Sequence, residues 1–227
     1  MEESFLVLLL TGLGNFFYNA GLLTKEAFSL GWRPWWWKMR LAAFFVYLKD
    51  PPHRVILREK ASLTAADEDL IYGETPPLTM KKLLEQVQAG PEDVFYDLGC
   101  GRGLTVLTAA RVYNMTAVGV DMIPTFIERA RKTKKFLGRS KSDFILSSFL
   151  DVDLSRATIV YTASTTFSEE TMKALAEKLK ALKAGARVIT LSAPLKSSHF
   201  SLSGSGVFDF TWGKTHAYFH SFIGSDP

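Results

Sequence analysis

Cysteine is nearly absent. Cys100 is the only one in 227 residues, so no intrachain disulfide can form and a reducing compartment fits best. With four scattered histidines and no second cysteine, no metal site suggests itself. Charge is modest too: 22% of residues are charged and the net charge is +4, so attraction to anions must come from local patches. Internal repeats and low-complexity tracts are missing. A 47% hydrophobic chain of this length suits one ordinary domain plus an appendage. The largest local gap is Ser4 to Thr24, which carries no charged side chain. That is about the 20 residues a membrane-spanning helix needs. A cleavable signal does not fit, because Glu2 and Glu3 stand where basic residues belong. Asn15, Asn19 and the glycines at 12, 14 and 21 weaken the span, yet suit a helix packed on a membrane partner. A helix buried on a soluble partner or a second copy is the alternative.

The residues just beyond the apolar run favour a membrane. WRPWWWKMR, residues 32–40, mixes four tryptophans with two arginines and a lysine. Tryptophan prefers the headgroup level and basic residues the cytoplasmic side. The expectation is therefore a membrane-associated chain with the body that follows on the cytoplasmic side. Leu41–Leu48 is too short to span and reads as an interfacial or re-entrant helix, ended by Asp50-Pro51-Pro52. The boundary expected there separates a membrane- or partner-binding helical segment, 1–50, from a domain at 51–227.

That domain is organised around VFYDLGCGRG, residues 94–103. A short apolar strand ends at Asp97, glycines follow at 99, 101 and 103, and then an apolar helix begins. Such glycines allow a tight turn and close approach of a ligand, and the helix behind them offers unpaired N–H groups. The spacing is not that of pyrophosphate binders, and Asp97 would repel a diphosphate. It suits a cationic amine, such as the methionine end of S-adenosylmethionine. One strand later, TAVGV ends in Asp121, where an acidic residue accepts hydrogen bonds from a ribose diol. Strands at Phe144–Ser147, Thr158–Tyr161 and Arg187–Leu191 alternate with helices at about Leu78–Gln88, Pro124–Phe136 and Ser168–Leu182. This alternation predicts a parallel α/β sheet with right-handed crossovers. Val207–Trp212 and His216–Ile223, around Gly213-Lys214, predict a terminal hairpin.

Two carboxylates at adjacent strand ends around one glycine turn resemble a class I S-adenosylmethionine-dependent methyltransferase. The resemblance implies a Rossmann-like, mostly parallel seven-stranded sheet with a C-terminal antiparallel hairpin. IYGETPPLTMKKLLEQV ahead of DLGCGRG is narrower. It resembles the seven-strand lysine methyltransferases of the disruptor-of-telomeric-silencing family, whose cofactor loop carries YGET. The likeness continues through SSFLDVDLSRATIVYTASTTFSEE to the terminal TWGKTHAYFH, about residues 71 to 223. The hydrophobic N-terminus and the chain from Ala186 onward also resemble the membrane-bound lysine methyltransferases of the ATP synthase c-subunit.

By this resemblance Tyr72, Glu74 and Thr75 close over the cofactor, Glu74 joining Asp97 on the methionine amine. Gly99, Gly101 and Gly103 form the turn, Asp121 takes the ribose, and Ser148 and Phe149 meet the adenine. Trp212 and Tyr218 line the lysine channel. Thr162 stands where the family has an asparagine beside the target amine, a departure that puts lysine specificity in doubt. Ser164, Thr165 or Thr166 are the available substitutes. The expected activity is methyl transfer to a lysine of a membrane-associated protein. A small-molecule or lipid methyltransferase, or a non-catalytic subunit of a membrane complex, are the alternatives. The basic run from Arg129 to Lys141 suits a solvated or lipid-facing helix. Without a separate basic tail, nucleic acid is not an expected partner.

Overall fold

The computed structural model describes residues 2–59 and 73–224, with side chains from residue 10 onward. Residues 60–72, Tyr72 of the expected cofactor loop among them, lie outside the described residues. Three helices come first: α1 (Glu2–Leu30), α2 (Pro34–Tyr47) and α3 (Pro52–Glu59). Then α4 (Pro77–Gln86) leads into β1 (Val94–Leu98), α5 (Leu104–Tyr113), β2 (Thr116–Asp121), α6 (Pro124–Leu137), β3 (Ser142–Leu146) and β4 (Ile159–Thr162). The chain closes with α7 (Glu169–Lys178), β5 (Arg187–Leu191) and the hairpin of β6 (Phe200–Phe210) and β7 (Gly213–Phe222).

The sheet has seven strands in the order β3-β2-β1-β4-β5-β7-β6. The first five are parallel and β7 is antiparallel to β5. The order reverses between β1 and β4, which opens the crevice where such folds bind ligands. Ser168 caps α7 by accepting from the Thr171 N–H at 3.1 Å, so that helix starts where its sequence signal places it. Both hairpin strands run longer than the sequence pattern indicates. Serines and glycines along Ser201–Gly206 carry no apolar alternation, and pairing with β7 holds them extended.

The expected membrane span needs correction. No described helix is long and apolar enough to cross a membrane. The second half of α1 is bound to the domain instead. Asn19 Nδ2 donates to the Thr211 carbonyl at 3.1 Å, Lys25 pairs with Asp209, and Glu26 is buried on α2. On α2, Trp36, Met39 and Ala43 enter the same core as Phe95 and Leu107. Core continuity thus runs across residue 50.

The close packing of β2 on the glycine turn depends on Gly119. A Cβ there would stand 2.7 Å from Cys100 Sγ and 2.8 Å from the Phe144 ring, both buried. Gly119→Ala should destabilise the fold by about 1–3 kcal/mol through overpacking. A fall in melting temperature of several degrees is expected, and an unchanged one would show that the turn relaxes freely.

Candidate functional site

The strand ends position two carboxyls side by side. Asp97 closes β1 at 2% exposure and Asp121 closes β2 at 8%. Between them the turn is sewn to β2 by Gly99 and Cys100 N–H groups donating to the Val120 carbonyl at 2.8 and 3.0 Å. Gly99, Gly101 and Gly103 all have positive φ, and a Cβ at Gly103 would lie 2.4 Å from Phe144, so only glycine fits there. Asp121 accepts from the N–H groups of Gly101 at 2.8 Å and Ile123 at 2.9 Å. Asp97 accepts from the Thr105 hydroxyl through Oδ2, while Oδ1 is buried without a hydrogen-bond partner.

Burial pushes both carboxyls up. Asp97 rises to about 7, opposed by the Thr105 hydrogen bond and raised further by Asp121. Asp121 rises to about 6, held back by its backbone donors. Cys100 is buried in the turn and its thiol is pushed up by desolvation and by both acids, which leaves it inert as a nucleophile.

These groups open into a cavity of about 660 Å³. Glu74, Thr75, Ser148, Phe149 and Trp212 line it together with the turn. Phe149 stacks on Phe167 with ring centroids 5.7 Å apart. Trp212 stacks on Phe210 at 4.7 Å and donates from Nε1 to Thr215 at 2.9 Å. A Cβ at Gly73 would fall 2.3 Å from the Trp212 ring, so a glycine lets the Gly73–Thr75 segment lie on that indole. Thr211 ties the segment further, exchanging hydrogen bonds with the Glu74 backbone.

Two expected site residues lie elsewhere. Thr162 is fully buried, its hydroxyl donating to the Leu98 carbonyl at 3.2 Å. Strand alternation turns Tyr161 and Ala163 toward the cavity and Thr162 away from it. Tyr218 sits opposite Thr190 on β7. Its neighbours Ala217 and Phe219 join the core face that holds Tyr161, so Tyr218 alternates to the other face, where it stacks with His216 at 6.2 Å. Of the hydroxyls near Thr162, Ser164 is bonded to the Leu191 carbonyl, whereas Thr165 and Thr166 line the cavity.

The structure adds residues that the sequence left unassigned. Tyr161 lines the cavity and shares a 2.6 Å hydrogen bond with Thr75, pinning the segment from below; burial keeps its phenol neutral. Ile56 of α3 and Phe167 complete the walls. Arg102, inside the glycine turn, pairs with Glu74 at 2.9 Å. Its charge amid three glycines was a visible signal.

The family model for the ANTKMT methyltransferase domain matches residues 97–200. A protein-lysine N-methyltransferase from Saccharolobus islandicus is 34% identical over 121 residues, covering 52% of this chain and 74% of that protein. The chain belongs to the protein-lysine N-methyltransferase family. A Cryptococcus neoformans histone-lysine N-methyltransferase, H3 lysine-79 specific, is 26% identical over 179 residues, and this chain spans 28% of its length. Among solved structures, an RNA methyltransferase from Salinibacter ruber in complex with S-adenosylhomocysteine superposes with a TM-score of 0.59 at 25% identity, covering 68% of this chain and 96% of that one. S-adenosylmethionine is the cofactor of this protein-lysine methyltransferase family member, and its residues fit it. The buried, partnerless Asp97 Oδ1 suits an ammonium, and a Cβ at Gly99 would meet open space.

The raised carboxyl values carry a pH signature. Both shifts favour the protonated acid in the cofactor-free fold. The stability they contribute is complete below the ordinary 3.8 and is lost as pH rises through about 6 and about 7. A cation needs the carboxylate, so the cofactor should bind with proton release near neutrality. Affinity should rise by up to about tenfold per pH unit below pH 7 and then level off. Calorimetry in two buffers of different ionisation enthalpy reads the protons; affinity independent of pH would remove Asp97 from the ammonium site.

Proposed function

We propose that the protein methylates a lysine side chain of a protein held at a membrane surface. The observation that carries the acceptor assignment is Trp212, pinned in the cavity wall beside Glu74 and Thr75. A free lysine has a pKa of about 10.4, and attack requires the neutral amine. An apolar wall disfavours the ammonium, while the indole face attracts the methylammonium product. Among the described lining residues, four acids (Glu74, Asp97, Asp121 and Glu170) against the single Arg102 give the cavity a cation-attracting surface.

When bound, S-adenosylmethionine would supply an electrophilic methyl group to the neutral lysine amine. Asp97 would hold the donor's ammonium with Glu74, Asp121 its ribose hydroxyls, and Phe149 its adenine. Orientation lowers the rest of the barrier, and no acid–base dyad is needed. The lysine ammonium would give its proton to solvent before transfer, and methylation of the neutral amine would yield the methylammonium product.

The membrane assignment is supported by the outer face of the N-terminal helices. Trp37, Leu41, Phe44, Phe45 and Leu48 recur at helical spacing along α2 and its end, all more than half exposed, with Trp32 and Phe28 beside them. Arg33, Lys38 and Lys49 flank this face. Such a helix lies in the interface rather than spanning it, and its charge suits an anionic cytoplasmic leaflet.

Two measurements test the proposal. Incubation with native membranes and methyl-labelled cofactor should place base-stable label in protein, lost when one target lysine is mutated and reduced at least tenfold by Trp212→Ala. Label confined to an organic extract would instead mark a lipid or small-molecule acceptor. Phe45→Glu with Leu48→Glu should abolish co-sedimentation with anionic vesicles while leaving cofactor affinity unchanged. Undiminished sedimentation would reject the lipid-facing role of α2.

A further inference from the structure

The cofactor site does not end at the cavity wall. Glu74 lies between two arginines. Arg102 Nη1 stands 2.9 Å from its Oε2 inside the cavity, and Arg40 Nη1 stands 4.0 Å from its Oε1, behind the wall. Arg40 is itself seated on Glu26, a carboxylate with 1% exposure. Glu26 Oε1 accepts from Arg40 Nε at 2.9 Å, from Arg40 Nη2 and from Trp36 Nε1, while its Oε2 is buried without a hydrogen-bond partner. Arg102 is steadied from the same side, its guanidinium 4.9 Å from the centre of the Tyr47 ring. Arg40 and Tyr47 both belong to α2, and Glu26 to α1. The N-terminal helices therefore hold both members of the Glu74–Arg102 pair.

A buried carboxylate with an incompletely bonded oxygen is costly. An apolar pair of similar shape would serve stability at least as well. Beyond packing, Glu26 supplies a fixed seat for the Arg40 guanidinium, and through it a fixed place for Glu74. The ligand class can be read from the pair that results. A carboxylate and a guanidinium side by side on one wall complement a group carrying an ammonium and a carboxylate on the same carbon, namely an α-amino acid zwitterion. Guanidinium is the side chain best matched to a carboxylate.

We propose that Arg102 reads the carboxylate of the cofactor's amino-acid end. Arg40, seated on Glu26, is the positioning residue that holds Glu74 for its ammonium. The inference rests on S-adenosylmethionine as the methyl donor. It makes Glu26, Arg40 and Tyr47 of the N-terminal helices supports of the cofactor site.

The test is calorimetric titration of the full chain with three ligands. These are S-adenosylmethionine, its decarboxylated form, and 5′-methylthioadenosine, which lacks the amino-acid chain. The intact protein should prefer the complete cofactor over the decarboxylated form by about tenfold or more, the weight of a charge-assisted hydrogen bond. In Arg102→Gln that ratio should fall to near one, with methylthioadenosine affinity unchanged. Arg40→Gln is made together with Glu26→Gln, so that no buried charge is stranded. It should weaken S-adenosylmethionine and the decarboxylated form alike, by about tenfold, and again spare methylthioadenosine. Where either variant fails to fold, Arg102→Lys or Arg40→Lys replaces it and should show the same pattern at smaller size. Lack of preference in the intact protein, an unchanged ratio in the Arg102 variant, or equal weakening of all three ligands would overturn the proposal. Failure of the intact protein to bind any of the three would instead remove the cofactor assignment itself.

Discussion

Two carboxyls at the ends of neighbouring strands, taken almost wholly out of water, set the terms for everything around them. Asp97 and Asp121 cannot both ionise comfortably in that setting, and burial raises both. The glycine turn answers part of the cost. It brings the Gly101 N–H to Asp121 and leaves one Asp97 oxygen without a hydrogen-bond partner. A cation of the right size is the missing partner. The positive φ values at the three glycines, the bare Gly119 beneath the turn and the apolar face of α5 are conditions for bringing backbone and acid this close.

Elements whose signal is local were legible in the sequence. The β1 turn, the strand ending in Asp121, the capped α7 and strand β5 follow from period, glycine and capping chemistry alone. Whatever depends on which face of a strand meets the cavity was harder to see. Thr162 and Tyr161 are adjacent, and a period of two sends only one of them inward. The same alternation turns Tyr218 away from the face that carries its neighbours. Arg102 could be seen in the turn, but its partner Glu74 lies 28 residues earlier and meets it only through the fold.

The N-terminal helices show the same limit from the other side. The uncharged run from Ser4 to Thr24 has the length of a span. The Asn19 amide and the charges just beyond the run are the groups that tie α1 to Thr211, Asp209 and Arg40. Hydropathy counts those polar atoms against a membrane helix without revealing their partners. On α2 the two faces separate cleanly, Trp36 and Met39 inward and Trp37 and Phe45 outward. Under the proposed lipid-facing role, one helix would meet a lipid surface on its outer face while its inner face braces the cofactor segment through Arg40 and Tyr47.

The measurement closest to the central claim compares S-adenosylhomocysteine with NAD by titration, in the intact protein and in Asp97→Asn. The buried acids should admit the amino-acid ligand, exclude the diphosphate, and lose at least about tenfold in S-adenosylhomocysteine affinity when Asp97 is neutralised. Tighter binding of the diphosphate, or equal affinity for S-adenosylhomocysteine in the variant, would contradict a cavity built around a paired cation.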